Sequence, residues 1–243
     1  GLAKRKSALT LSRMVHFTLF GIPVYIRPSF WVVLAIFGGA LSISSVEDLI
    51  YPALFVIAGF VAILSHEMGH ALVGRKLGGG QQTIVLELFG GLTSSHGMQL
   101  TRGGRALMIL AGPMMTLLLG IISLGLTWNI VAPVMTSYNL NFWDLAISPF
   151  TAALISPKLY ILSCLIMIGE WWTILNLLPI YPLDGGQLIA QYIRSPRKVF
   201  MTGFITAILI GLLSFQLFHG YFIPIFMALF AYSNYREYKN APF

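Results

Sequence analysis

Charge is scarce in this sequence. Lys, Arg, Asp and Glu make up 9% of its 243 residues and apolar residues 57%, whereas about a quarter of an average soluble domain is charged. With a mean hydropathy of +0.81, this composition excludes an ordinary soluble domain and predicts an integral membrane protein. Acidic residues are the rarer sign, 8 against 15 basic ones, which gives a formal net charge of +7. Cysteine is almost absent. Cys164 stands alone in an apolar run, so neither a disulfide framework nor a thiolate zinc site can be built. The basic start, GLAKRKSALTLSRMVHF, lacks a compact apolar stretch followed by a small-residue cleavage site, so no removable signal peptide is expected.

Long apolar runs are what the sequence has in quantity. They fall at about 29–46, 51–74, 105–128, 158–178, 198–218 and 222–235, and a bilayer span needs about 20 mostly apolar residues. The fold expected is an all-α polytopic membrane protein with about six transmembrane helices, forming one domain over 1–243. Only HGY separates the last two runs, which implies a tight hairpin. If the N-terminus lies inside, every basic residue except Lys158 falls on the inner side. That asymmetry places both termini in the cytoplasm and accounts for the positive charge through the lipid bilayer, with no nucleic acid. The connection at about 129–157 has the prolines, asparagines and aromatics of a loop lying along the interface. Between the second and third runs, TIVLELF is rich in β-formers and flanked by glycines, so a membrane-dipping β-hairpin is expected there.

The run AILSHEMGHALVGRK carries His66, Glu67 and His70 inside an otherwise apolar helix. Ionisable groups in hydrocarbon cost about 2.5–3.5 kcal/mol each on insertion scales, so their presence points to function. Residues i and i+4 share a helix face, so His66 and His70 can present two imidazoles to one metal, with Glu67 beside them. Two neutral histidines, a carboxylate and an open position suit a catalytic Zn2+, one per chain, with Glu67 taking the proton of the attacking water. For the third ligand the sequence offers Glu170, Asp184, His96 and Glu87. His66 precedes Arg75 by nine residues, or about 13 Å of helix. Asp184 precedes Arg194 by a similar distance, which favours Asp184, with Glu170 as the fallback. The prolines and glycines of NLLPIYPLDGGQL also permit a segment that turns a side chain inward.

HEMGH at 66–70, followed by NLLPIYPLDGG at 176–186, resembles the site-2 proteases, zinc metalloproteases that cut substrates within the membrane. The resemblance extends to FGIPVYIRPSF before the first run, FGG at 89–91 and AGP at 111–113. It implies His66, His70 and Asp184 as zinc ligands and Glu67 as general base. It also implies that Asn176 and Pro179 lie near the substrate, with Asn176 donating to a peptide carbonyl or oxyanion. Neither a PDZ domain nor a CBS pair is evident, so the chain resembles a minimal core.

The expected activity is cleavage of transmembrane or membrane-associated proteins, with room for a regulatory membrane partner, in a prokaryotic cell membrane and with the site in its inner half. The alternative is a zinc-binding scaffold or a metal transporter without enzymatic activity. A transporter would string polar ligands along a path across the bilayer, whereas here they cluster. A substrate helix must unwind before attack, and the segment 83–91 reads as a strand with an unpaired edge. Val85, Leu86, Leu88, Phe89, Gly90 and Gly91 are therefore expected to line a docking edge for an extended substrate.

Overall fold

A computed structural model describes residues 15–88, 90–97, 99–138, 143, 146 and 148–241. Contacts divide the chain into two compact units, Gly1–Trp172 and Thr173–Phe243.

The first unit opens with two strands, β1 (Val15–Leu19) and β2 (Ile22–Ile26), paired antiparallel. Phe20 and Gly21 both take positive φ between them, the geometry of a two-residue hairpin whose twist matches its strands. In β2, Ile22, Val24 and Ile26 are buried while Pro23 and Tyr25 are only half-buried, the period-two alternation of a sheet with one covered face. Helix α1 (Pro28–Phe37) follows. Helix α2 (Ile50–Gly78) then leads into β3 (Gln81–Glu87) and β4 (Gly90–His96). The sheet order is β1-β2-β3-β4, with β2 and β3 parallel and the other pairs antiparallel. Its covered face gives Ile22, Val24, Ile26, Ile84 and Leu86 to a core shared with Phe30 and Leu34 of α1 and Ile63, Leu64, Met68 and Ala71 of α2. Arg75, in the last turn of α2, donates to the Phe20 carbonyl at 2.7 Å and ties the first hairpin to that helix. Helix α3 (Arg102–Tyr138), the short α4 (Pro149–Ala153) and α5 (Pro157–Leu177) follow, the first unit ending within α5 at Trp172.

The second unit takes the end of α5, then α6 (Asp184–Ala190), α7 (Pro196–Phe218) and α8 (Phe222–Asn240). Its core holds Ile180, Ala207, Met227 and Ala231. The Tyr181–Pro182 peptide is cis.

Among the described residues four helices are long and apolar enough to cross a membrane, Glu47–Gly78, Arg102–Ala132, Pro157–Leu177 and Pro196–Leu217, and the chain is an integral membrane protein. They match four of the six expected runs. The run at 29–46 gives only the ten-residue α1, about 15 Å long, which stops at Gly38. The run at 222–235 gives the 19-residue α8, whose second half, AYSNYREYKN, is polar. The expected interfacial loop at 129–157 begins as helix, since α3 continues to Tyr138. The hairpin at 81–96 forms, but within a larger sheet. That corrects the docking edge: β3 is an interior strand, pairing through Ile84, Val85 and Leu86 with β2 and through its whole length with β4. Val85 and Leu86 have no open edge, and Leu86 is fully buried. Leu88 lies in the turn after β3, and Phe89 falls outside the described residues. Among the described residues the sheet's edge strands are β1 and β4, and Gly90 and Gly91 lie at the start of β4.

Candidate metal centre

His66, Glu67 and His70 lie in the buried half of α2, at 2%, 5% and 8% exposure. One helical turn separates the two histidines, and their Nε2 atoms are 3.1 Å apart. The Nδ1–H of His70 donates to the Met108 carbonyl of α3 at 2.9 Å. A carbonyl can only accept, so this bond puts the proton on Nδ1 and leaves the lone pair on Nε2. Two Nε2 atoms on one tetrahedral zinc, at about 2.0–2.1 Å each, would sit about 3.3 Å apart, close to the spacing present.

Helix α3 keeps the space beside these nitrogens open. A Cβ on Gly112 would overlap Nε2 of His70 and crowd Nε2 of His66, and a Cβ on Gly69 would overlap the Ala111 carbonyl. The small residues of AGP and of HEMGH thus let α2 and α3 approach while leaving room for a ligand at the imidazoles. Trp172 stands edge-on to His66, with ring centroids 6.5 Å apart.

Asp184 is 6% exposed and is the first residue of α6, where the helix dipole favours a carboxylate. A Cβ on Gly185 or Gly186 would overlap the main chain at Leu177 and Leu178, or at Ile180 and Tyr181, so the DGG sequence is what lets α6 start against the preceding turn. His66, His70 and Asp184 are placed to bind one metal ion, one ligand atom from each lying within 4.8 Å of the others. Two imidazoles and one carboxylate are a zinc donor set, and the glycine-lined space fits the ion.

The other acidic and histidine candidates lie elsewhere. Glu170 is exposed on α5, His96 is exposed at the end of β4, and Glu87 pairs with Arg27 at 3.1 Å. Asn176 is buried in the last turn of α5 and Pro179 is half-buried just beyond it.

Glu67 meets the sheet. The Thr93 hydroxyl of β4 lies 2.7 Å from Glu67 Oε2 and 3.2 Å from the Glu67 carbonyl. A Cβ on Gly91, two residues earlier on the same strand, would overlap the Glu67 side chain. Gly91 therefore acts by close approach to Glu67, and a Cβ on Gly90 would press on Trp172. Sequence reasoning missed Thr93, Met108 and Gly112. Gly112 had a visible signal in the small residues of AGP, whereas the other two act through a strand face and a main-chain carbonyl that carry no residue-type signature.

Comparison with known proteins agrees with this geometry. The model of peptidase family M50 matches residues 54–218. The zinc metalloprotease MJ0392 of Methanocaldococcus jannaschii is 29% identical over 227 residues, covering 89% of this chain and 57% of that protein. The putative zinc metalloprotease sll0528 of Synechocystis sp. is 28% identical over 72% of this chain and 43% of its own length. The chain thus spans about half the length of these curated relatives. Among solved structures, a site-2 protease from Methanocaldococcus jannaschii has the same fold, with a TM-score of 0.58 and 24% identity over 93% of this chain and 95% of that one. Since the family model takes in the histidine pair, Asp184 and the helices that carry them, the chain belongs to peptidase family M50, the site-2 proteases.

Proposed function

We propose that this chain is an intramembrane zinc endopeptidase that hydrolyses peptide bonds of transmembrane or membrane-associated proteins, in a prokaryotic cell membrane, with both termini cytoplasmic and the site in the inner half of the bilayer. The observation that carries this reading is the buried His66–Glu67–His70 cluster with its glycine-lined space, set in a helix apolar enough to span a membrane. His66, His70 and Asp184 hold the metal. When bound there, zinc acidifies water towards neutrality and polarises the scissile carbonyl. Glu67 accepts the proton of the attacking water and returns it to the amide nitrogen as the C–N bond breaks, so the products are a carboxylate and an amine. Asn176 donates its side-chain N–H to the carbonyl oxygen as negative charge develops there. Pro179 shapes the turn that follows Asn176.

The substrate is held extended along β4. Leu86 accepts from the Arg27 N–H at 2.9 Å, so its main-chain groups face β2. In an antiparallel ladder, the residue opposite then turns its own N–H and C=O outward. That residue is Gly91, and Thr93 and Ser95 follow with period two. An unwound substrate strand can pair with these groups by strand addition.

The test is co-expression with single-span reporter proteins, one of them carrying a Gly-Pro pair in its apolar segment, comparing the wild type with Glu67→Gln. A cleaved reporter that stays whole with the variant supports the reading. Bound zinc without cleavage of any reporter would favour the scaffold alternative.

A further inference from the structure

The base is gripped by the strand on which the substrate docks. Thr93 Oγ1 carries one proton, and its 2.7 Å contact with the Glu67 carboxylate is the shorter and charge-assisted one, so the hydroxyl donates to Oε2. The same oxygen lies 3.2 Å from the carbonyl of Glu67, so a single atom of β4 sits against both ends of this residue. Thr93 is β-branched and stiff at χ1, which fixes where its hydroxyl points. Gly91, on the same strand face, leaves the volume that the Glu67 side chain fills. The main-chain groups of Thr93 face away from β3, on the side of β4 where no strand follows among the described residues, so one residue carries the docking edge and the contact to the base.

We propose that Thr93 is a positioning residue for Glu67: its hydroxyl holds Oε2, leaves Oε1 to receive the proton, and registers the carboxylate to a substrate strand paired with β4. This rests on the reading of Glu67 as general base. A general base acts only within hydrogen-bond reach of its proton, and a displacement of about 1 Å can lower a rate about 10²-fold. The device also links docking to chemistry, because a strand paired to the main chain of Thr93 immobilises the residue that orients the base.

The experiment uses the full zinc-loaded chain and the Gly-Pro reporter, and compares Thr93→Val, Thr93→Ser and Glu67→Gln with the wild type. Valine keeps the shape and removes the hydroxyl. It should lower kcat about tenfold to hundredfold with KM within about twofold and zinc still bound, whereas serine should stay within about threefold of wild type. Infrared spectra of chain carrying 13C-carboxyl glutamate give a readout independent of turnover. The carboxylate band missing from Glu67→Gln belongs to Glu67, and it should move in Thr93→Val but not in Thr93→Ser. Wild-type kcat in Thr93→Val, equal losses in the valine and serine variants, or an unmoved band would overturn the proposal. If Thr93→Val does not fold, Thr93→Ala against Thr93→Ser makes the same comparison. Cleavage that survives in Glu67→Gln overturns the base assignment instead, whatever Thr93 does.

Discussion

At the scale of residues, metal binding and proton transfer should separate. Glu67→Gln preserves the volume of the side chain and its place against Thr93 and Gly91 but cannot take a proton. Zinc analysis should therefore find the metal retained, with cleavage reduced by about 10²–10⁴, the usual worth of a general base. Cleavage within about tenfold of wild type would remove Glu67 from that role. Asp184→Ala should lower zinc occupancy while Glu170→Gln leaves it unchanged, since Glu170 is exposed on α5 and Asp184 is buried with a helix start behind it. Gly112→Ala is the sharper probe of the ligand space. Its methyl group would overlap Nε2 of His70, so zinc affinity should fall by at least about tenfold, the scale seen when the shell around a metal is disturbed. Undiminished zinc in the Gly112→Ala variant would mean that the ion sits away from α3.

Secondary-structure elements position these residues from a distance. Asn234 of α8 is 1% exposed and donates to the Tyr181 carbonyl at 2.6 Å and to that of Phe230 at 2.9 Å, so the last helix grips the turn that precedes Asp184. Asn234→Leu leaves the Tyr181 carbonyl without this donor, at a cost of about 1–3 kcal/mol. Looser placement of Asp184 should appear as weaker zinc binding with α-helical content unchanged, and unaltered affinity would confine Asn234 to packing. On the sheet, the N–H of Ser95 faces outward, so proline there removes a docking donor and spares the ladder with β3. Ser95→Pro should impair cleavage and keep zinc, with Ser95→Ala as the control for the hydroxyl bond to Gln82. Val85→Pro strikes an interior strand and should destabilise the sheet itself. The sequence displayed the helix of the histidine pair and the turn before Asp184 plainly, because ionisable groups in an apolar run and a DGG after two prolines are local signals. It displayed the hairpin at 81–96 as well. It hid the parallel pairing of β2 with β3, which joins segments about sixty residues apart, and with it the interior place of β3 in the sheet. The short reach of α1 was hidden too: a run of apolar residues fixes what a segment can bury, and the glycines at 38 and 39 decide where its helix stops.

On the proposed reading, the molecule as a whole faces a mismatch between its medium and its reaction. A substrate span in the bilayer has its peptide groups bonded within its own helix, because hydrocarbon offers them no other partner. Attack requires an accessible carbonyl, so the helix must open over several residues, and each freed group must find a new partner on the enzyme. On that reading the outward groups of Gly91, Thr93 and Ser95 supply such partners for one stretch of strand, next to Glu67. Unwinding therefore belongs to the barrier, and its cost depends on the helix propensity of the substrate around the scissile bond. Replacing an apolar residue there by glycine weakens a helix by about 1 kcal/mol relative to alanine, which corresponds to about fivefold in an opening equilibrium. A reporter series with zero, one and two glycines beside the cleaved bond should show kcat/KM rising by about that factor at each step. The same series measured with Ser95→Pro should start lower and keep the slope, since opening and docking are separate contributions. A flat series in the wild type would mean that substrates reach the site already extended, and that β4 captures an exposed strand without helping to open a helix.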